Sequence, residues 1–154
     1  MRNFLRKLCY RIYINGKNYY NNNVEDRLDG VSKVSNRKNL ELGNKVSFGG
    51  EVMLMGNGKI KIGNNTMIGA GSIVHSSTHD YERVIMNEVR IDKDVLIGNN
   101  VWVGTGVIIN PGIEIGDNSV IGSGSVVTKN VKPYDIVAGV PAKVLKSREE
   151  LIKK

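Results

Sequence analysis

His75 and His79 are the only histidines in this 154-residue chain. An imidazole titrates near neutral pH, the range in which a general base takes a proton from a hydroxyl or amine. The two stand four residues apart in Val74-His-Ser-Ser-Thr-His79-Asp80. His75 directly follows a residue of a regular apolar pattern and reads as structural or solvent-facing. His79 is followed by Asp80, Tyr81, Glu82 and Arg83, which do not pattern as core. Two histidines and one cysteine, Cys9, are too few for a zinc site of three imidazoles, a zinc knuckle or an internal disulfide, and no metal site is expected. No Gly-x-x-x-x-Gly-Lys loop is present to cradle a phosphate at a helix start. Trp102 is the only tryptophan in a chain with 6% aromatic residues. It falls at an outward position of the repeat described next, where a large aromatic marks a contact site or an interface.

The element that positions these residues is a period of six. Ile91, Ile97, Val103, Ile109, Ile115, Ile121 and Val127 are six apart without a miss, and Gly98, Gly104, Gly116 and Gly122 follow four of them. Four residues after each stand Val95, Val101, Val107, Ile113, Ser119, Ser125 and Val131. Upstream, Ile62, Ile68 and Val74 keep one register, and Leu42, Phe48 and Leu54 keep another, shifted by two residues. Six residues satisfy the strand period of two and leave room for a corner, where glycine or asparagine bends the chain. Three such faces close a triangle, so eighteen residues make one coil. Aliphatic side chains point to the axis, and the coils stack at about 4.8 Å. A sandwich explains alternation but not a strict six. Between Val74 and Ile91 the frame slips by one residue, so a loop is expected to leave the coil near His79, over about residues 75–90. The fold class is therefore all-β, a triangular prism of hexapeptide repeats.

Flanking segments differ in character. Nine Lys and Arg and three Asp and Glu fall in residues 1–40, so most of the net charge of +7 belongs to a basic N-terminal arm. Phe4, Leu5, Leu8, Cys9, Ile12 and Tyr13 recur at helical spacing, which predicts a short amphipathic helix over roughly 2–14. Such an arm suits solvation, packing on the body or contact with an anionic membrane surface; nucleic-acid binding would rest on it alone and is not expected. The body spans 41–132. After Lys132-Pro133, residues 133–154 read as a turn followed by a short C-terminal helix, with Ser147-Arg-Glu-Glu150 as its capping box. No apolar run reaches membrane-spanning length and the start lacks a signal-peptide core, so a cytoplasmic protein is expected.

Ile97-Gly-Asn-Asn-Val-Trp-Val-Gly, Ile109-Asn-Pro-Gly, Ile115-Gly-Asp-Asn-Ser-Val-Ile-Gly-Ser-Gly-Ser-Val-Val-Thr-Lys and Ala138-Gly-Val-Pro-Ala-Lys resemble the hexapeptide-repeat acyltransferases. They look most like galactoside and maltose O-acetyltransferases and the sugar O-acetyltransferases of polysaccharide biosynthesis. The resemblance covers about residues 41–146 and is loose before Ile60. It implies a left-handed parallel β-helix, against the usual right-handed rule for crossovers. It also implies a homotrimer with active sites at subunit interfaces, acetyl-coenzyme A as co-substrate and a sugar or glycan acceptor.

By that resemblance His79, in Ser-Ser-Thr-His-Asp, is the catalytic base, and Trp102 lies beside the acceptor or the pantetheine arm. The Thr105 amide matches a donor that faces the thioester carbonyl, and Gly104 lets the chain approach closely. Ser123, Thr128 and Lys129 match positions lining the coenzyme groove, while Lys143 and Lys146 stand where relatives place basic side chains near its phosphates. One departure concerns the acceptor. Where galactoside acetyltransferases carry a sugar-binding Asn, this chain has about Gly49, with Glu51 nearby as an acceptor contact. The expected activity is acetyl transfer to a sugar hydroxyl. The alternatives are N-acetylation of a nucleotide-linked amino sugar and a non-catalytic structural β-helix. A γ-type carbonic anhydrase has the same prism but needs three histidines.

Overall fold

The computed structural model describes residues 30–151; the expected N-terminal helix lies outside them. The described chain is a parallel β-helix with three flat faces. Face A stacks β1 (Val31–Val34), β4 (Val52–Met55), β7 (Ile73–His75), β12 (Ile108–Ile109) and β15 (Val126–Val127). Face B stacks β2 (Leu40–Leu42), β5 (Ile60–Ile62), β10 (Val95–Ile97) and β13 (Glu114–Ile115). On face C lie β3 (Ser47–Phe48), β6 (Met67–Ile68), β11 (Trp102–Val103), β14 (Val120–Ile121), β16 (Asp135–Gly139) and β17 (Ala142–Ser147). Because β1 already pairs with β4, the coil starts upstream of Glu41.

Strand partners give the coil lengths directly. Leu42 pairs with Ile62, twenty residues on; Ile62 pairs with Ile97, thirty-five on; Ile97 pairs with Ile115, eighteen on; and Ile121 pairs with Val137, sixteen on. The twenty-residue coil has two extra residues at the Gly56-Asn57-Gly58 corner, which produces the shifted upstream register. The span of thirty-five is one ordinary coil of eighteen plus an excursion of seventeen residues. That excursion is an antiparallel ribbon, β8 (Ser77–His79) against β9 (Arg90–Asp92), joined by a turn. Ile91 is therefore a half-buried ribbon residue and not the first inward position of the repeat. The coil resumes at Val95, which is fully buried.

Both inward positions of each hexad are buried, Val95, Val101, Val107 and Ile113 as well as Ile97, Val103, Ile109 and Ile115. Where the second inward residue is small and polar, its hydroxyl donates to a corner carbonyl: Thr66 to Gly98 at 2.8 Å, Ser72 to Gly104 at 3.0 Å, Ser125 to Gly122 at 2.6 Å. Burying a hydroxyl is costly unless it is bonded, and the corner carbonyls remove that cost. Ser76, two residues after the inward Val74, is the next inward residue. It is fully buried and bonds the carbonyls of Met55 and Gly58, which fixes the root of the ribbon.

The corner glycines serve a different purpose from the one their position suggests. Gly104 turns with ordinary dihedrals, but a Cβ there would stand 2.6 Å from the Ser123 nitrogen and 2.9 Å from the Ile121 oxygen. It is glycine because the next coil is too close. The left-handed backbone comes two residues later, at Gly71, Gly106 and Gly124 on one edge and at Asn65, Asn100 and Asn118 on another. Asparagine tolerates that conformation better than other side-chain-bearing residues.

At the C-terminus, Ala142–Ser147 forms β17, antiparallel to β16, so the chain turns back along face C. The expected C-terminal helix begins as a 3-10 turn at Glu149–Leu151, where the described residues end, with the Ser147 hydroxyl accepting from the Glu149 amide at 3.3 Å. The capping box therefore acts where the sequence places it, directly after β17. No helix among the described residues is long and apolar enough to cross a membrane.

The two glycine roles separate by substitution. Gly104→Ala should cost about 2–3 kcal/mol through overpacking against the next coil. Gly106→Ala meets nothing within 4 Å and should cost about 1 kcal/mol through left-handed strain alone. Urea unfolding of both variants measures the difference.

Candidate active site

The ribbon is built to hold His79 away from the prism. Its base is tied down: the Asn57 amide donates to Ser77 Oγ at 2.8 Å, the Lys93 amide donates to the Ser76 carbonyl at 2.9 Å, and the Ser77 hydroxyl donates to Asp92 Oδ1. From the buried Ser76 the chain passes through half-buried Ser77 to exposed Thr78 and His79. Cross-strand pairs are Ser77 with Asp92, Thr78 with Ile91 and His79 with Arg90. Side chains alternate along a strand, so Ser77, His79, Arg90 and Asp92 share one face of the ribbon.

Asp80 does not hold the imidazole. Its carboxylate accepts from the Glu82 amide at 3.1 Å and pairs with Arg83 at 3.4 Å. His75 faces outward on β7 beside Met55, half-buried within a face of the prism.

The other expected residues sort by edge. Between faces C and A, three columns of corner residues run up the prism. Gly49, Gly69, Gly104 and Gly122 form the tight column; Gly50, Ala70, Thr105 and Ser123 the next; Glu51, Gly71, Gly106 and Gly124 the third. A Cβ at Gly71, Gly106 or Gly124 would meet nothing within 4 Å, so this edge is bare backbone for three coils. The Thr105 amide is directed at Ser123, whose Oγ accepts from it at 3.2 Å. An incoming oxyanion reaches that amide only if the Ser123 hydroxyl turns aside. Gly104 is buried under the next coil, so the close approach it permits is between coils and not to a ligand.

Trp102 stands on the outer side of face C, 54% exposed, in register with Met67, 49% exposed, and with Val120. Lys143 and Lys146 are exposed on β17 at the end of the same face. Thr128 and Lys129, both exposed, follow β15 at the edge between faces A and B, the edge from which the ribbon also leaves. His79 and Trp102 thus belong to different sides of one prism. A shallow cleft of about 380 Å³ lies elsewhere, between Glu41, Lys61, Asn64 and Asn99, and touches none of the expected residues. Near it, Lys59 pairs with Glu41 at 2.9 Å; this bond lowers the Glu41 pKa and raises that of Lys59. No cluster of three potential metal ligands occurs among the described residues.

The Gly49 position explains the missing asparagine. A Cβ at Gly49 would stand 2.7 Å from the Ala70 nitrogen, so no side chain fits there with this stacking. Glu51, two residues on, holds a left-handed conformation at φ 52° where the following coils have glycine. That strain was not legible from the repeat, which breaks down at the upstream coils.

Comparison with known proteins follows the same lines. The bacterial transferase hexapeptide family (six repeats) matches residues 94–129, and the hexapeptide repeat of succinyl-transferase matches 59–79. Curated proteins give no match. Among solved structures, a hexapeptide-repeat-containing acetyltransferase from Vibrio cholerae is 33% identical over 71% of this chain, with a TM-score of 0.66. The chain spans 63% of that protein's length. A galactoside acetyltransferase in complex with coenzyme A is 26% identical, over 88% of this chain and 76% of that one, with a TM-score of 0.61. A maltose O-acetyltransferase from Clostridium difficile 630 is 31% identical, over 94% of this chain and 86% of that one, with a TM-score of 0.58. The chain belongs to the hexapeptide-repeat acyltransferases, and its coil is the left-handed β-helix of that family.

Relief of strain provides a test at Glu51. Glu51→Gly should raise stability by about 1 kcal/mol, the left-handed penalty for a residue with a Cβ, measured by urea unfolding. If Glu51 contacts the acceptor, the same variant raises the acceptor KM while leaving the KM for the acyl donor unchanged.

Proposed function

We propose that this chain transfers an acetyl group from acetyl-coenzyme A to a hydroxyl of a sugar, in the building of a surface polysaccharide. The observation that carries the reading is His79, an exposed imidazole at the head of a ribbon whose root is buried and bonded, in a chain that aligns with a maltose O-acetyltransferase over 94% of its length. The galactoside acetyltransferase that this fold resembles was solved with coenzyme A.

Acetyl transfer from a thioester needs a base for the acceptor hydroxyl, a donor for the tetrahedral oxyanion, and a surface that aligns two substrates. His79 serves as the base. It takes the hydroxyl proton as the oxygen attacks the thioester carbonyl and returns it to the departing thiolate. The Thr105 amide serves as the oxyanion donor once Ser123 yields it. The bare edge at Gly71, Gly106 and Gly124 fits an extended pantetheine arm, because no side chain keeps it from the backbone. Trp102 and Met67 give the arm an apolar wall, and Lys143, Lys146 and Lys129 offer charge to the coenzyme's phosphates.

One prism places His79 at the A–B edge and Thr105 at the C–A edge. The reading therefore requires a second copy, which in a cyclic trimer brings the base of one subunit to the donor groove of the next. Each site is then built from two chains.

His79→Ala should lower kcat about 10²–10⁴-fold, the usual contribution of a general base. A purified mixture of His79→Ala and Trp102→Ala chains, refolded together, should recover activity that neither variant has alone. The measurement is thiol release from acetyl-coenzyme A across a panel of sugars and amino sugars. Undiminished turnover in His79→Ala would refute the mechanism, and mixtures without recovery would place both residues in one subunit's site.

A further inference from the structure

We infer that Arg90 is a specificity residue, holding an anionic group of the acceptor beside the hydroxyl that His79 activates. This rests on the reading of His79 as the base and adds to it a substrate class: an acceptor with a carboxylate or phosphate next to the acetylated sugar carbon.

Arg90 is the direct cross-strand partner of His79 and lies on the same face of the ribbon. In an antiparallel pair such residues have Cβ atoms about 4.5–5.5 Å apart, so whatever approaches the imidazole on that face also meets the guanidinium. The guanidinium is oriented without being used up. Its Nε lies 3.5 Å from Asp92 Oδ1, and Asp92 is itself held by the Ser77 hydroxyl, which accepts in turn from the Asn57 amide. This chain of bonds runs from a corner of the prism to the arginine. It ends on Nε, which leaves the two terminal nitrogens as a fork that faces no protein acceptor among the described residues. A paired terminal fork is the geometry that recognises carboxylate or phosphate by two parallel bonds.

The ion pair itself does not account for the arrangement. Both side chains are exposed, 52% for Arg90 and 39% for Asp92, and exposed pairs of this kind add little stability. Arg83, in the turn of the excursion, also pairs through Nε, 3.4 Å from Asp80 Oδ2. Asp80, Glu82, Glu88 and Asp92 outnumber Arg83, Arg90 and Lys93 in the same excursion, so no net positive field draws the acceptor in and recognition here is short-ranged and directional. It should appear in acceptor KM and not in long-range attraction.

The experiment compares three acceptors with the full-length protein: an oligosaccharide ending in a uronic acid, the same oligosaccharide with its carboxyl reduced to the alcohol, and a hexose 1-phosphate. Wild-type kcat/KM should be at least tenfold higher for one or both charged acceptors than for the neutral one. Arg90→Gln should remove most of that ratio through KM, and Arg90→Lys should restore only part of it because the fork is lost. Preference for the uronic acid identifies an acidic sugar, and preference for the phosphate identifies a sugar phosphate. Equal loss on charged and neutral acceptors in Arg90→Gln makes Arg90 only a ribbon support and overturns the proposal. So does a wild-type protein indifferent to charge. The underlying reading fails separately, if His79→Ala turns over every acceptor as well as wild type.

Discussion

Everything in this structure depends on how closely successive coils approach at their corners. The backbone of one coil donates to the next throughout, as in Gly104 to Ile121 at 2.8 Å and Gly122 to Val137 at 2.8 Å. On faces B and C the residue after the inward side chain has no room for a Cβ, which is why the columns read Gly43, Gly63, Gly98, Gly116 and Gly49, Gly69, Gly104, Gly122. That contact fixes the register of coil on coil, and the register carries every other feature. It stacks Ile on Ile along the axis, aligns the left-handed residues into edges, and lets a buried Thr or Ser find a corner carbonyl. Even the end of the column obeys it, since Ala138 closes over Gly122 with its methyl group in the space that glycine leaves.

The same constraint explains what could be read from the sequence. A period of six survives in the residue types because both inward sites and the tight column recur in every coil, so the prism was legible from Ile97 to Val131. The excursion was legible as a slip in that period. What it would become was not, because the β8–β9 pairing joins Ser77–His79 to Arg90–Asp92 across a turn with no repeat of its own. Ile91 sits six residues before Ile97 and was counted into the frame, although the spacing is incidental to the ribbon. At the C-terminus the capping box at Ser147 was legible, but the strand before it was not, because Ala142–Ser147 is set by the open edge of β16, whose amides and carbonyls it satisfies. The glycines were rightly noticed for the wrong reason. A sequence shows that glycine is present but does not distinguish a special φ from a missing space.

The candidate site was legible residue by residue and not as an arrangement. Trp102, Gly104, Thr105 and Ser123 fall together at one edge or beside it because they share coils, and linear spacing predicts that. His79 falls with Thr128 and Lys129 at another edge because β7 and β15 belong to the same face. Arg90 went unremarked because its place opposite His79 exists only once the ribbon closes. The cleft of about 380 Å³ beside face B holds none of these residues. The proposed site joins the two groups across copies of the chain.

This also bears on why His79 stands on a ribbon. A coil offers two kinds of side-chain position: inward, where Val74 is sealed in the core, and outward, where His75 lies half-buried among its neighbours. Neither carries the backbone beyond the face, and neither can be moved without disturbing the hydrogen bonds above and below. The excursion frees the chain from that register for seventeen residues at little cost to the stack, because Val95 re-enters directly against Ile60. It still keeps precision at its root through Ser76 and Ser77. A histidine three residues above a buried, doubly bonded serine can reach past its own prism without losing its place on it. His75, four residues earlier and of identical chemistry, has the rigidity without the reach.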